Sequence, residues 1–312
     1  MKISVFPKGE LDAIVVERSL SVPAWIRSMS VLPIEGVELY SGMFDAGAPD
    51  LAPVQDVLAE TGLEMPMFCA SPDFTHPSAD VRSSEFERQV SMMRIARDLG
   101  GPGVSCRVLS GQRHPEVTTG EGLDWAAENI NALLPLAREL DIVLGLENHY
   151  KDGYWSYPEF AQKREVFLAL LNRIEDRKHF GVQFDPSNAT VAGDDPVDFL
   201  QTVIDRVVTM QASDRTLAPG ASLEDLKAAD GAEGYSNLLR HGAVGEGLND
   251  YPAIFGILDD AGYDGWISIE DGVNGFEEMA RSVDFLVEAR EQFFSSSRAM
   301  RVRAHDRAPA AE

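Results

Sequence analysis

Cysteine is almost missing from this chain: Cys69 and Cys106 are the only two in 312 residues. Two thiols cannot build a disulfide framework, and their scarcity fits a reducing compartment. Long apolar runs are missing as well. The N-terminal apolar segment reaches only from Ile3 to Phe6, where a secretory leader needs a core of roughly seven to fifteen residues. No stretch approaches the ~20 apolar residues of a membrane span, so a cytoplasmic protein without a membrane segment is expected. Basic charge is scarce too, with 27 Lys and Arg against 51 Asp and Glu, a net of −24. Such a surface repels phosphate backbones and argues against nucleic acid as a partner. The one locally basic piece runs from Arg298 through Arg301, Arg303 and Arg307. It belongs to a C-terminal tail over 297–312 with the composition of a frayed, flexible end.

What the chain does contain is an alternation of short β-rich runs with helical patterns. Strands are expected at Ile3–Phe6, Gly36–Tyr40, Met65–Cys69, Val104–Leu109, Ile142–Leu146, Gly181–Phe184, Val207–Met210 and Trp266–Ile269. Helical periodicity marks Phe86–Leu99, Leu123–Leu140, Pro252–Ala261 and Phe276–Phe293. Glycines after Leu99 and Ala261 are stop signals. Eight strands separated by helices imply a parallel sheet with crossovers, and in this length the pattern matches an α/β fold of the (β/α)8 TIM-barrel type. A doubly wound nucleotide-binding sheet is disfavoured, because VFPKGELD after the first strand has a single glycine. No linker divides the chain, so residues 1–296 read as one barrel domain. The longest irregular piece, Thr216 to Val244, lies between strands seven and eight and is either functional or an ordered excursion.

A barrel places its chemistry at the C-terminal ends of its strands. Four successive strand ends carry a metal-capable side chain: IVLGLENH delivers Glu147, FGVQFDPSN delivers Asp185, RVVTMQASDR delivers Gln211 and GWISIEDG delivers Glu270. A single carboxylate at such a place is ordinarily a helix cap or an ion-pair partner. Four in succession form a set, and three carboxylates with one amide oxygen are hard ligands suited to Mn²⁺ or Mg²⁺. His149, two residues past Glu147, would share its side if the strand continued, bringing a proton-transfer group beside the ion. The alternative is a loop histidine satisfied by a neighbour. His114, His241, His76 and His179 read as structural or surface residues. Tyr150, Tyr154, Trp155 and Tyr157 follow strand five and could wall a flat ring or pack on the barrel rim.

The motifs ENH, FDPSN and VGEGLNDYPAIFGILDDAGYDGWISIE resemble the sugar phosphate isomerase/epimerase group, whose members have the xylose isomerase-like TIM barrel. The likeness covers Ile142 to Phe293 by motif and the first half by its strand–helix rhythm. It implies that Glu147, Asp185 and Glu270 hold metal ligand positions, and that Asn188 stands where the group has a substrate-touching histidine. The group's seventh strand reads His-x-Lys-Asp. Here the segment is Gln211-Ala212-Ser213-Asp214, which keeps an oxygen donor but loses the imidazole. Within the group, ENHYKDGYW and Gln211 are similar to the large subunit of bacterial C-glycoside deglycosidases. That resemblance implies a metal-dependent lyase acting on 3-oxo-glucosides, with Mn²⁺ first and Mg²⁺ or Co²⁺ as the other candidates, and a small β subunit as partner in a hetero-oligomer. Glu147, Glu270 and His149 would then be catalytic, and Asn188 and Arg215 would orient the oxidised glycoside. A ketose isomerase or epimerase, an inosose-type dehydratase and a noncatalytic sugar-binding barrel are the competing readings.

Overall fold

The computed structural model describes residues 1–44, 49–229 and 238–294; the tail over 297–312 lies outside these. The strands in chain order are β1 (Lys2–Val5), β2 (Gly36–Val37), β3 (Leu39–Tyr40), β4 (Met67–Cys69), β5 (Ser105–Val108), β6 (Val143–Glu147), β7 (Phe180–Phe184), β8 (Val207–Ala212), β9 (Arg215–Leu217), β10 (Leu239–His241) and β11 (Trp266–Ile269). All but β9 and β10 form one parallel sheet in the order β2-β1-β11-β8-β7-β6-β5-β4-β3. Its two ends are consecutive in the chain. β2 pairs with β1 and β3 pairs with β4, so a single run over 36–40 changes partner at Glu38 and joins the ends into an eight-unit TIM barrel.

Side chains alternate across a strand, and here the two faces are chemically opposed. Leu144 and Leu146, Val182 and Phe184, and Ile267 and Ile269 are fully buried apolar residues facing the surrounding helices. The other parity carries Arg107, Glu147, Gln183, Gln211 and Ser268, also buried. That these point inward follows from a bond across the barrel, from Gln211 on β8 to Glu38 between β2 and β3. The apolar core therefore lies between sheet and helices, where Phe199 packs on Phe167 and Phe184. The barrel interior is polar.

The helices start and stop for local reasons. Ala79–Gly100 ends at Gly101, whose φ is 74°. Thr119–Leu140 opens on a reciprocal capping box between Thr118 and Glu121. Phe276–Ala289 continues into a wider turn over Arg290–Phe294. The 216–244 excursion is ordered where described: β9 and β10 form an antiparallel ribbon, with the helix Leu223–Ala228 between them. Leu226 and Leu239 pack with Tyr150 and Val191 in a small apolar cluster, tying the excursion to the loop after β6.

The loop between β10 and the helix Tyr251–Asp260 is held by one carboxylate. Asp214 accepts the backbone N–H groups of Gly245, Gly247, Asn249 and Arg215 at 2.9–3.2 Å. A Cβ on Gly247 would lie 2.2 Å from Asp214 Oδ1, so only glycine admits this approach. Replacing Asp214 by Ala strands these donors, and a loss of about 3 kcal/mol is expected, read from the urea unfolding midpoint.

Candidate active site

Glu147 ends β6, and Asp185 and Glu270 follow directly on β7 and β11. All three are buried, and each offers an oxygen within 4.8 Å of the others. The parallel register makes this convergence possible: β6, β7, β8 and β11 are consecutive neighbours, and their inward parity delivers one polar side chain each. Two backbone-directed bonds clasp the strand ends. Asn148 Nδ2 donates to the Asp185 carbonyl, and the Asp185 N–H donates to Asn148 Oδ1.

Each carboxylate has its own set of partners. Arg107 Nη1 donates to Glu147 Oε2 at 2.6 Å and Asn188 Nδ2 to Glu147 Oε1 at 2.9 Å. Asp185 Oδ1 caps the helix Pro186–Ala192 through the Asn188 N–H and also accepts from Ser213 Oγ at 2.8 Å. Lys8 Nζ lies 2.8 Å from Glu270 Oε1. Burial and mutual repulsion push Glu147 well above the usual carboxylate range, against the pull of Arg107. Burial pushes Asp185 up to about 6, with the Glu270 charge adding to it. Glu270 goes the other way: burial would raise it, but Lys8, Arg107 and Arg215 together hold it low. Burial also pushes Glu38 up to about 7.

The donor set fits a hard divalent cation. Asp185 Oδ2, Gln211 Oε1 and Gln183 Oε1 are buried oxygens with no hydrogen-bond partner among the described residues. Lone acceptors beside three crowded carboxylates lack a positive charge rather than another hydrogen-bond acceptor. Lys8 and Arg107 offset part of the negative charge; of the three oxygens left over, those of Asp185 and Gln211 belong to residues expected as ligands, and that of Gln183 does not. Glu147, Asp185, Gln211 and Glu270 are those that would hold such an ion.

Above this centre opens a cavity of about 280 Å³ whose wall includes Lys8, Arg107, His149, Tyr150 and Glu270. His149 thus stands beside the centre, although not for the reason given by strand parity: β6 stops at Glu147, and the Asn148 clasp turns the chain. Its Nδ1 lies 3.9 Å from Glu159 Oε2. Burial, with Arg107 and Lys8 nearby, holds the imidazole well below its usual range and hence neutral. Asn188 bridges Glu147 and Asp185. Arg215 is buried, donating to Asp271 Oδ1 at 2.8 Å and to the Asp214 carbonyl, and acts on Asp185 and Glu270 through its charge. Of the other histidines, His114 pairs with Asp73 and His241 with Asp271, while His76 and His179 meet backbone groups. The aromatic residues divide. Tyr150 and Tyr154 wall the cavity, Trp155 lies in a neighbouring one, and Tyr157 packs on His114.

Sequence reasoning missed Lys8, Arg107 and Glu38. Lys8 lies three residues past β1, so the strand-end argument applied to the first strand would have found it. Arg107 and Glu38 were visible as charges inside the apolar runs VSCRVLS and GVELY, a pattern that a buried strand tolerates only with partners.

A family model described as "Xylose isomerase-like TIM barrel" matches residues 29–289. No curated protein matches the sequence. Among solved structures, the fold is similar to a D-tagatose 3-epimerase-like protein at 18% identity, covering 95% of this chain and 99% of that one, with a TM-score of 0.72. It is also similar to the apo form of a 3-keto-D-glucoside 4-epimerase from E. coli at 15% identity, 93% and 99% coverage and a TM-score of 0.67. A mannonate dehydratase from Streptococcus suis serotype 2 matches at 14% identity, 95% and 96% coverage and a TM-score of 0.67. At these identities the likeness is one of fold.

Arg107 is the buried counter-charge of Glu147 and also donates to Ser71 Oγ and the Ala70 carbonyl. Arg107→Met removes the counter-charge of buried Glu147 and leaves it only the amide donors of Asn188 and Gln183, and a destabilisation of about 3 kcal/mol is expected, measured by chemical denaturation of the metal-free protein.

Proposed function

The chain belongs to the xylose isomerase-like TIM barrel family, and we propose that it is a divalent-metal-dependent lyase that cleaves 3-oxo-glucosides by carbon–acid chemistry. The observation that carries the glycoside reading is a second cavity of about 480 Å³, which shares Tyr40, Asp152 and Tyr154 with the cavity above the carboxylates. Sugar isomerisation needs room for one small sugar. A chamber adjoining the first across that shared wall, lined by Trp155, His76 and Arg88 among others, suits a group attached to that sugar.

A divalent ion held by Glu147, Asp185, Gln211 and Glu270 would supply Lewis-acid polarisation of a ketone and its neighbouring hydroxyl. The C2 proton of a 3-oxo-glucoside is α to the ketone, and the aglycone on C1 is β to it. A base removes the C2 proton, the freed electron pair forms the C1–C2 double bond, and the C1–aglycone bond breaks with its electrons leaving on the aglycone, which takes up a proton. His149 and Glu270 both line the cavity. A neutral imidazole and an ionised carboxylate can each accept the C2 proton, and the protonated His149 can return one to the departing aglycone. Lys8 keeps Glu270 ionised and directs an ammonium at the same space. Asn188 holds Glu147 in place, and Arg215 contributes positive charge. A small β subunit completes the proposed complex.

The reading that returns the proton to the sugar, as an epimerase, isomerase or inosose-type dehydratase, shares the same first step. It is favoured by the solved neighbour described as a 3-keto-D-glucoside 4-epimerase. A noncatalytic sugar-binding barrel would gain nothing from three clustered buried carboxylates.

Mass spectrometry of reactions in D₂O with Mn²⁺ separates these readings, using 3-oxo forms of a C-glucoside and an O-glucoside, with and without a small subunit encoded beside the gene. Free aglycone is the expected product. Deuterium entering the sugar without aglycone release would replace the lyase by an isomerase or epimerase. Glu147→Gln and Glu270→Gln are each expected to lower turnover about 10²–10⁴-fold while the fold persists by circular dichroism; near-wild-type activity in either sinks the assignment. His149→Ala is expected to slow turnover with metal content unchanged, as measured by elemental analysis.

A further inference from the structure

Glutamine is an ambiguous metal ligand, because its amide has a donor end and an acceptor end of nearly equal size. Only the oxygen can meet a cation. Gln211 is buried on β8 with its orientation already decided. Its Nε2 donates to Glu38 Oε1 at 2.6 Å, with Cys69 Sγ at 3.8 Å as its other contact. Its Oε1 has no partner among the described residues. Cys69 Sγ also donates to Glu38 Oε1, at 2.7 Å, so one carboxyl oxygen gathers both donors.

Glu38 is itself fixed by the barrel. It is the residue at which the 36–40 run changes partner, its backbone N–H donates to the Val5 carbonyl, and it is fully buried. Gln211 lies beside Ser268 in the register of the neighbouring strands β8 and β11, and Ser268 is two residues before Glu270. Reversing the Gln211 amide would set its oxygen against the Glu38 carboxyl oxygen and aim N–H groups away from it. Glu38 therefore selects one of the two amide orientations.

We propose that Glu38 is a positioning residue for the metal centre: by accepting from Gln211 Nε2, it leaves the Gln211 carbonyl oxygen as the end presented to a divalent cation. The carboxyl and amide together then do what a single imidazole would do alone. Cys69 Sγ donates to the same Glu38 Oε1, which holds that oxygen in the acceptor role towards Gln211. The inference rests on the metal reading above and adds to it a residue from the opposite side of the barrel, outside the ligand set.

The test is Mn²⁺ affinity of the full chain, followed by the electron paramagnetic resonance of free Mn²⁺ without substrate. Glu38→Leu removes the acceptor and is expected to weaken Mn²⁺ about 10–100-fold. Glu38→Asp keeps the acid but withdraws it by one methylene, and is expected to weaken binding in the same direction with less disturbance of packing. Glu38→Gln retains an acceptor oxygen and is expected to restore most of the affinity. In a Gln211→Leu background, Glu38→Leu should cause no further loss, since the group it orients is gone. Undiminished Mn²⁺ affinity in Glu38→Asp, or an equal loss on Glu38→Leu with Gln211 absent, overturns the proposal and leaves the metal reading standing. A wild-type chain that takes up no Mn²⁺ overturns both. Thermal unfolding of each variant identifies any loss of affinity that comes from loss of fold.

Discussion

Three carboxylates confined in a buried space with oxygens within 4.8 Å repel one another and have lost most of their hydration. Much of the surrounding architecture can be understood as the answer to that cost. Arg107 and Lys8 reach in from β5 and from the segment after β1 to meet Glu147 and Glu270. Asp185 places one oxygen on a helix N-terminus and a serine hydroxyl and keeps the other without a hydrogen bond. The compensation is uneven, so the three groups differ. Glu147 and Asp185 resist ionisation while Glu270 favours it, and this asymmetry separates roles among groups of similar chemistry.

The interior extends the same logic. A barrel whose inward residues were all apolar would need no network, but it would also have no place for a cation. Here the inward parity of several adjacent strands is polar, and its members satisfy one another: Gln211 with Glu38 across the barrel, and Cys69 with Glu38 and Arg107 with Glu147 between neighbouring strands. Buried networks of this kind restrict geometry when most members are paired. Among the described residues the carboxylate and amide oxygens left over belong to Asp185, Gln183 and Gln211 beside the carboxylates, and to Glu38 and Glu159; the hydroxyls of Ser4, Ser41 and Ser268 are left over as well. Stability resides in the apolar layer between sheet and helices, which leaves the interior free for chemistry.

Loops after the strands then decide what can enter. Asp152 accepts from Ser71 Oγ and Tyr40 OH and stands with Tyr154 between the two cavities. Ser71 is also a partner of Arg107, so the wall dividing the chambers connects through two side chains to Glu147. The ribbon of β9 and β10 is joined to the same region through Arg215 and His241, both on Asp271, the neighbour of Glu270.

By itself, the sequence determined the eight strands, the barrel class and the positions of Glu147, Asp185, Gln211 and Glu270. Period-two alternation and an abrupt polar residue at a strand end are local signals, readable without knowing which strands touch. Its reading of His149 arrived at the right neighbourhood by the wrong route, because where β6 stops depends on the Asn148 bonds to β7. Lys8, Arg107 and Glu38 became partners of the centre only in the folded chain. Lys8 meets Glu270 across 262 positions and Gln211 meets Glu38 across 173. Such pairs are set by closure of the ring at Glu38, and closure is a property of all eight strand units together that no single segment encodes.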